Sequence, residues 1–361
     1  MQNINKILII RFSSLGDVIL STPLIQLLRQ NFPETELDFL VRQEYAELLR
    51  SNPRINQLIE FNIELGFRGL RKLKNRLKNS NYNVILDIHN NLRSRYLCLG
   101  MAGLSSKTRI LRIQKKQFIR FLLVKFKINL YHRLYQRVIP VWEKYLITAK
   151  PLVGKTEIRD QKPEIFLTIK AKNRAKKIHT ELLGNKTYIT LAPGAKHYTK
   201  RWPAEYYSDL IARIYQEIKL KSVLIGGIDD MEASESILQN CTGDAVISLV
   251  GQLSIQETAA VMKDSKLLIT NDSGLMHVAD ALAMPLIAIF GSTVEEFGFF
   301  PISQEATVIQ NSGLTCRPCS HIGRSRCPKE HFRCMQELTP EIVWQELCGK
   351  LGHNLKIEGR M

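Results

Sequence analysis

Along the first quarter of the chain, short runs of adjoining apolar residues alternate with longer amphipathic stretches. The runs at 7–10, 37–41, 55–61 and 84–88 predict strands buried on both faces. The stretches at 17–31, 44–51 and 66–79, and a further one after 88, predict helices between them. Near-continuous apolar strands joined by helices mean a parallel sheet covered on both sides. Residues 115–136 predict another helix, with a wide apolar stripe and a heavily basic opposite face. Such a helix can lie on anionic lipid or pack its stripe into a core, and the pattern allows both. A polar stretch with Pro151, Gly154 and Pro163 then marks a linker over about 151–163. Beyond it the alternation restarts, with strands at 188–192, 222–226, 266–270 and 286–290 and helices at 204–217, 230–239, 255–263 and 275–282. The reading is an α/β chain of two Rossmann-like parallel-sheet domains, 1–150 and 164–361. Open sheets of this kind bind ligands beyond the carboxyl ends of their strands, so the chemistry is expected in a cleft between the two domains.

Length agrees: 361 residues exceed one ordinary core and suit two domains of roughly 150 each. Composition (45% hydrophobic, 24% charged) is that of a globular protein, which excludes a disordered chain. The apolar run before Arg11 is too short for a signal peptide, and no stretch approaches the roughly 18 apolar residues of a spanning helix. A cytoplasmic location follows as the expectation. Charge changes the picture more. The chain carries a net +17, and residues 65–137 alone hold 18 Lys or Arg against one acid, Asp87. A field so concentrated points to an anionic partner for that segment: nucleic acid, an anionic membrane surface or a phosphorylated lipid. A solvated basic face is the plainer alternative. The final residues 357–361, Ile-Glu-Gly-Arg-Met, read like a protease-recognition scar or a native end, with no bearing on the fold.

Turns that follow strands hold the candidate chemistry. Arg11-Phe-Ser-Ser-Leu-Gly-Asp17 follows the first strand. Gly16 permits a tight turn, and Asp17 at the helix start either complements the helix dipole or faces a ligand. Leu191-Ala-Pro-Gly-Ala195 leads to Lys200-Arg201-Trp202-Pro203, where two cations precede a proline suited to a first helical turn. They meet phosphate there or are ordinary surface residues. Gly226-Gly227 ends a strand before Asp229, Asp230 and Glu232, but the G-x-G-x-x-G pattern of a hydride-transfer enzyme is absent. An acid there either bonds ribose hydroxyls or caps a helix. The sharpest signal is the run from Leu267 to His277, in which Asp272-Ser273-Gly274 opens a helix and His277 lies one turn in. That arrangement suits a diphosphate at a helix N-terminus. Cys316, Cys319, Cys327 and Cys334 begin with zinc-ligand spacing but lack a matching second C-x2-C. A reduced, loop-forming cluster is preferred over structural zinc, and the odd count of seven fits a reducing compartment.

Taken in order, these segments resemble the bacterial ADP-heptose:lipopolysaccharide heptosyltransferases, glycosyltransferase family 9. The matching pieces are R-F-S-S-L-G-D-V-I-L-S-T-P at 11–23, D-I-H-N-N-L-R-S-R at 87–95, A-P-G-A…K-R-W-P at 192–203, I-G-G…D-D-M-E at 225–232, N-D-S-G-L-M-H-V-A at 271–279 and I-F-G-S-T at 289–293. They span almost the whole chain. The resemblance implies a GT-B architecture, acceptor on the N-terminal domain and nucleotide-sugar on the C-terminal one, and an inverting, metal-independent transfer without cofactor. It implies Asp17 as general base, Lys200 on the donor phosphates, Glu232 on the ribose, and Asp272, Ser273, Gly274 and His277 around the diphosphate and sugar; Arg201, next to Lys200, stays a donor-side candidate from its position alone. Arg93 and Arg95 are the acceptor-side candidates, facing phosphates and carboxylates of lipid A and its inner core, with peripheral contact to an anionic inner membrane and no nucleic acid. The expected activity is heptose transfer from ADP-heptose to the phosphorylated lipopolysaccharide inner core. A transferase using another sugar or acceptor, or a non-catalytic protein binding anionic lipid or nucleic acid, are the alternatives.

Overall fold

The computed structural model describes residues 4–101, 108–154 and 161–357. The chain forms two compact units, one of residues 1–116 with 139–166, the other of 117–138 with 167–361. The sequence reading put residues 117–138 in the N-terminal domain, whereas their contacts lie in the second unit. Part of the linker (155–160) and the last four residues lie outside the described residues.

In the first unit five parallel strands, β1 (Lys6–Ile10), β2 (Glu36–Arg42), β3 (Gln57–Phe61), β4 (Val84–Asp87) and β5 (Arg109–Arg112), lie in the order β3-β2-β1-β4-β5. Ile7 registers with Leu37 on one side and Val84 on the other. β1 is central, and Ile7 to Ile10 are fully buried, as a strand flanked on both edges and both faces requires. The helix expected over 17–31 is two helices, α1 (Leu15–Ile19) and α2 (Thr22–Asn31). Pro23 has no amide hydrogen and suits a first turn, and Ser21 Oγ donates to the Val18 carbonyl, so the chain restarts there. The segment 44–51 is a 3-10 turn over Gln43–Leu48 rather than a helix proper. α3 (Gly66–Lys78) and α4 (Leu92–Cys98) complete this half.

The helix expected over 115–136 also breaks, into α5 (Gln117–Phe126) and α6 (Tyr131–Tyr135). Lys127 turns left-handed at φ +61°, and Asn129 Oδ1 accepts the Tyr131 amide to start the second piece. α7 (Val141–Val153) runs into the segment read as linker and packs on α2.

The second unit holds six parallel strands in the order β11-β10-β9-β6-β7-β8: β6 (Tyr188–Ala192), β7 (Lys221–Leu224), β8 (Val246–Ser248), β9 (Leu268–Asn271), β10 (Leu286–Phe290) and β11 (Ala306–Gln310). Helix α8 (Ile169–Glu181) precedes β6, α9 (Ala204–Arg213), α10 (Met231–Leu238), α11 (Ile255–Lys263) and α12 (Gly274–Ala281) lie between the strands in sequence, and α13 (Arg333–Gln336) and α14 (Pro340–Ile357) follow. Trp202, Tyr207, Met335 and Trp344 join the strand residues in one core. In each sheet the winding reverses once, between β1 and β4 in the first and between β6 and β9 in the second. A crevice opens at such a reversal because the two crossovers leave on opposite faces. Among the described residues no helix is long and apolar enough to cross a membrane.

Candidate active site

Asp17 sits at the reversal of the first sheet. Arg11 leaves the end of β1, donates from Nη1 to the Ile88 carbonyl at 2.9 Å beyond β4, and places Nη2 2.6 Å from Asp17 Oδ2. Ser14 Oγ donates to the same oxygen at 3.0 Å, and Tyr145 on α7 donates to Oδ1 at 3.0 Å. Burial alone would push the Asp17 pKa up. The Arg11 guanidinium and the Ser14 and Tyr145 donors outweigh it, so the carboxyl stays below its usual value. Burial holds the Tyr145 phenol well above its usual range, so it remains a donor. Oδ2 is crowded, whereas among the described residues Oδ1 accepts from Tyr145 alone, which leaves it a lone-pair direction for a further donor.

Beside this pair, Asp87 is fully buried and accepts from the Asn90 amide at 2.7 Å and Ser94 Oγ at 3.0 Å, which shapes the turn after β4. On that turn His89 packs edge-on to Phe12, with ring centroids 5.3 Å apart. Burial and then the Arg11 charge push its pKa down to about 3, so the ring is neutral, and Nδ1 has no hydrogen-bond partner among the described residues. Arg93 and Arg95 are exposed on the first turns of α4, with Arg95 Nε donating to Asn90 Oδ1 at 2.9 Å.

At the reversal of the second sheet, Lys200 Nζ lies 2.7 Å from Asp272 Oδ2, which also accepts from Thr293 Oγ1 at 2.6 Å. Asn271 closes the same corner, donating to the Pro193 carbonyl and accepting the Trp202 amide. Ser273 precedes α12 without capping it; its hydroxyl pairs with Thr270 Oγ1 at 3.2 Å. The first-turn amides of α12, beginning at Gly274, therefore keep their anion-binding capacity. His277 is 4% exposed and packs near Phe299. Arg201 and Glu232 line a separate cavity of about 340 Å³ with Pro193, Tyr198, Trp202 and Phe332. Arg201 Nε is held by the Ala195 carbonyl at 2.7 Å. Asp230 fills the Gly-Gly turn, accepting the Gly227 amide at 3.0 Å. A Cβ on Gly194 would come 2.0 Å from its Oδ1.

The loop behind Lys200 is braced from far along the chain. Thr199 donates its amide to the Arg324 carbonyl and accepts the Arg324 amide on Oγ1, at 3.1 and 2.8 Å, and its hydroxyl meets Ser292 Oγ. Arg324 belongs to the cysteine-rich segment, where Cys316 Sγ lies 3.9 Å from His331 Nε2 and burial pushes the Cys334 thiol up to about 12. All seven cysteines are free, and among the described residues no three His, Cys, Asp or Glu side chains are grouped to hold a metal ion.

Comparison with known proteins decides the family. The profile of glycosyltransferase family 9 (heptosyltransferase) matches residues 70–329. The chain belongs to glycosyltransferase family 9. This family 9 chain is 28% identical to lipooligosaccharide heptosyltransferase 2 of Haemophilus ducreyi, covering 95% of this chain and 98% of that one. Against lipopolysaccharide heptosyltransferase 2 of Escherichia coli K12 the identity is 26%, over 95% and 97%. The solved structure of E. coli ADP-heptose lps heptosyltransferase II aligns with a TM-score of 0.74 at 25% identity, over 97% and 99%. The family 9 enzyme is thus a glycosyltransferase whose two parallel-sheet units are of the GT-B class.

The structure joins Lys200 to Asp272 and sets both beside Ser273 and Gly274, while Arg201 and Glu232 share a different cavity. Sequence reasoning missed Arg11, His89, Tyr145 and Thr293 as site residues. Arg11 and Thr293 fall within quoted motifs and His89 within D-I-H-N-N, so adjacency to Asp17 and Asp272 was the available signal. Tyr145 had none, standing 128 residues from its partner.

Proposed function

We propose that the chain transfers a heptose from ADP-heptose to the phosphorylated inner core (Kdo or heptose) of lipopolysaccharide, with inversion and without a catalytic metal. The observation that carries this reading is the partly buried Asp17, held in its charged form, whose Oδ1 accepts from Tyr145 alone among the described residues. A sugar hydroxyl becomes a competent nucleophile when a positioned carboxylate takes its proton, worth typically 10²–10⁴-fold. The departing diphosphate needs charge stabilisation rather than a proton, and Lys200 with the α12 amides would supply it. Ser273, Gly274 and His277 would line the diphosphate and sugar, and Glu232 and Arg201 the nucleoside end beside Trp202. Arg93 and Arg95 would meet acceptor anions. Lipid A lies at a membrane surface, so the enzyme would work at the cytoplasmic face of the inner membrane. Similarity over 95% of the chain to lipopolysaccharide and lipooligosaccharide heptosyltransferases supports heptosyl transfer to lipopolysaccharide, and the likeness to the E. coli ADP-heptose lps heptosyltransferase II supports the donor.

The test is transfer from ADP-heptose to Kdo-bearing lipid A, with ADP release and glycolipid extension measured for the parent and Asp17→Asn. The parent should turn over, and the variant should lose at least about 10²-fold in kcat with donor binding intact. An active parent whose Asp17→Asn variant is equally active would remove Asp17 as base. No release from ADP-heptose, with turnover of another nucleotide-sugar, would overturn the donor.

A further inference from the structure

α5 carries apolar residues on two faces, and its packing uses one. Ile119, Leu123 and Val124 face Phe297, Val294 and Phe299 in a small core. Lys127 Nζ then donates to the Pro318 carbonyl and Asn129 Nδ2 to Glu296 Oε1, each at 2.6 Å, so the segment is fastened to its unit. On the other side Phe118 and Phe121, one turn apart, are 70% and 54% exposed. Phe126, 57% exposed, packs edge-on against Phe121, and further along the segment Ile128 and Leu134 are exposed as well. Scattered apolar side chains on a surface are ordinary; a contiguous row of aromatics on one helix marks an interaction site.

Its surroundings specify the partner. Between Asp87 and Glu143 there is no acidic residue and there are 12 Lys or Arg. Lys125 lies on the same face as Phe118 and Phe121, with Lys116 just before the helix and Arg133 beyond it, all exposed. Apolar rings set among cations match an anionic bilayer, where rings enter the headgroup boundary and ammonium and guanidinium groups meet phosphates. A second copy of this chain would bring cation to cation. We propose that the outer face of α5, led by Phe118 and Phe121, docks the enzyme on an anionic lipid bilayer. This rests on the reading of the acceptor as a membrane glycolipid, and adds the surface that meets the membrane.

Co-sedimentation of the full chain with phosphatidylcholine vesicles, with and without phosphatidylglycerol, tests it. The parent should bind the anionic vesicles and fall off as salt rises. Phe118→Ser/Phe121→Ser should weaken binding at least about tenfold, and Lys116→Glu/Lys125→Glu should weaken it and flatten its salt dependence. Thermal unfolding reports whether the variants fold. Phe118→Trp/Phe121→Trp keeps the apolar bulk, and should bind like the parent with a blue shift in emission, beyond the parent's own change, when anionic vesicles are added. The proposal fails if the folded serine variant binds as the parent does, or if the tryptophans show no shift. It also fails if the parent forms a dimer without lipid that the serine variant lacks. Transfer to a soluble, deacylated acceptor is measured alongside. A parent that binds vesicles yet transfers no heptose overturns the proposed function and leaves the docking surface standing.

Discussion

A carboxylate offers about four lone-pair directions, and at Asp17 the resting protein crowds Oδ2 with Arg11 and Ser14 while leaving Oδ1 to Tyr145 alone. If the acceptor hydroxyl shares Oδ1, Tyr145 would act as a positioning residue, and its removal would loosen the hold on that oxygen. Tyr145→Phe should lower kcat about tenfold to hundredfold, the worth of one hydrogen bond to a charged group. Because the Asp17 pKa is lowered, its base form persists below the usual carboxylate value, and kcat/KM should stay flat from neutral pH down past about 4. Losing the Tyr145 donor raises that pKa, so the acid limb of the variant should move to higher pH. A merely structural loss would lower the whole profile without moving the limb. His89, neutral with its pKa near 3, adds no limb near 6 or 7.

Strands were legible where they are central, since burial on both faces writes a continuous apolar run; Lys6–Ile10 and Leu286–Phe290 are examples. β5, β8 and β11 lie at sheet edges, with half-exposed residues and no such run, and the sequence pattern did not mark them. The broken helices were illegible for a local reason: the apolar spacing continues across Ser21 and Lys127 while the backbone does not. Motifs marked Lys200 and Asp272, but their contact across 72 positions exists only once β6 and β9 pair. The end of β10 shows what the pairing must clear. A Cβ on Gly291 would come 2.8 Å from the Thr199 carbonyl and from Met335. Gly291→Ala should therefore push away the backbone that carries Lys200, costing about 1–3 kcal/mol of stability. Donor KM should rise more than acceptor KM; thermal unfolding and initial rates at varied donor would register both.

Across the molecule the net charge of +17 resides in residues 65–137, and this asymmetry was fully legible in the sequence. Its consequence is kinetic. Raising salt from about 50 to 300 mM shortens the screening length to within one side chain or two. Acceptor KM should climb severalfold, while the affinity for ADP, met by a few close groups, should change less; steady-state rates at several salt concentrations would separate the two. Equal sensitivity of both substrates would dissociate the basic segment from the acceptor. The brace between Thr199 and Arg324 bears on how such enzymes can be recombined. Swapping 188–293 with a relative to change the sugar handled would import a new Thr199 loop against a native 311–336. Two surfaces shaped in different lineages would then meet behind Lys200. The transplantable piece is both segments together, although 17 residues of chain, β11 among them, separate the two.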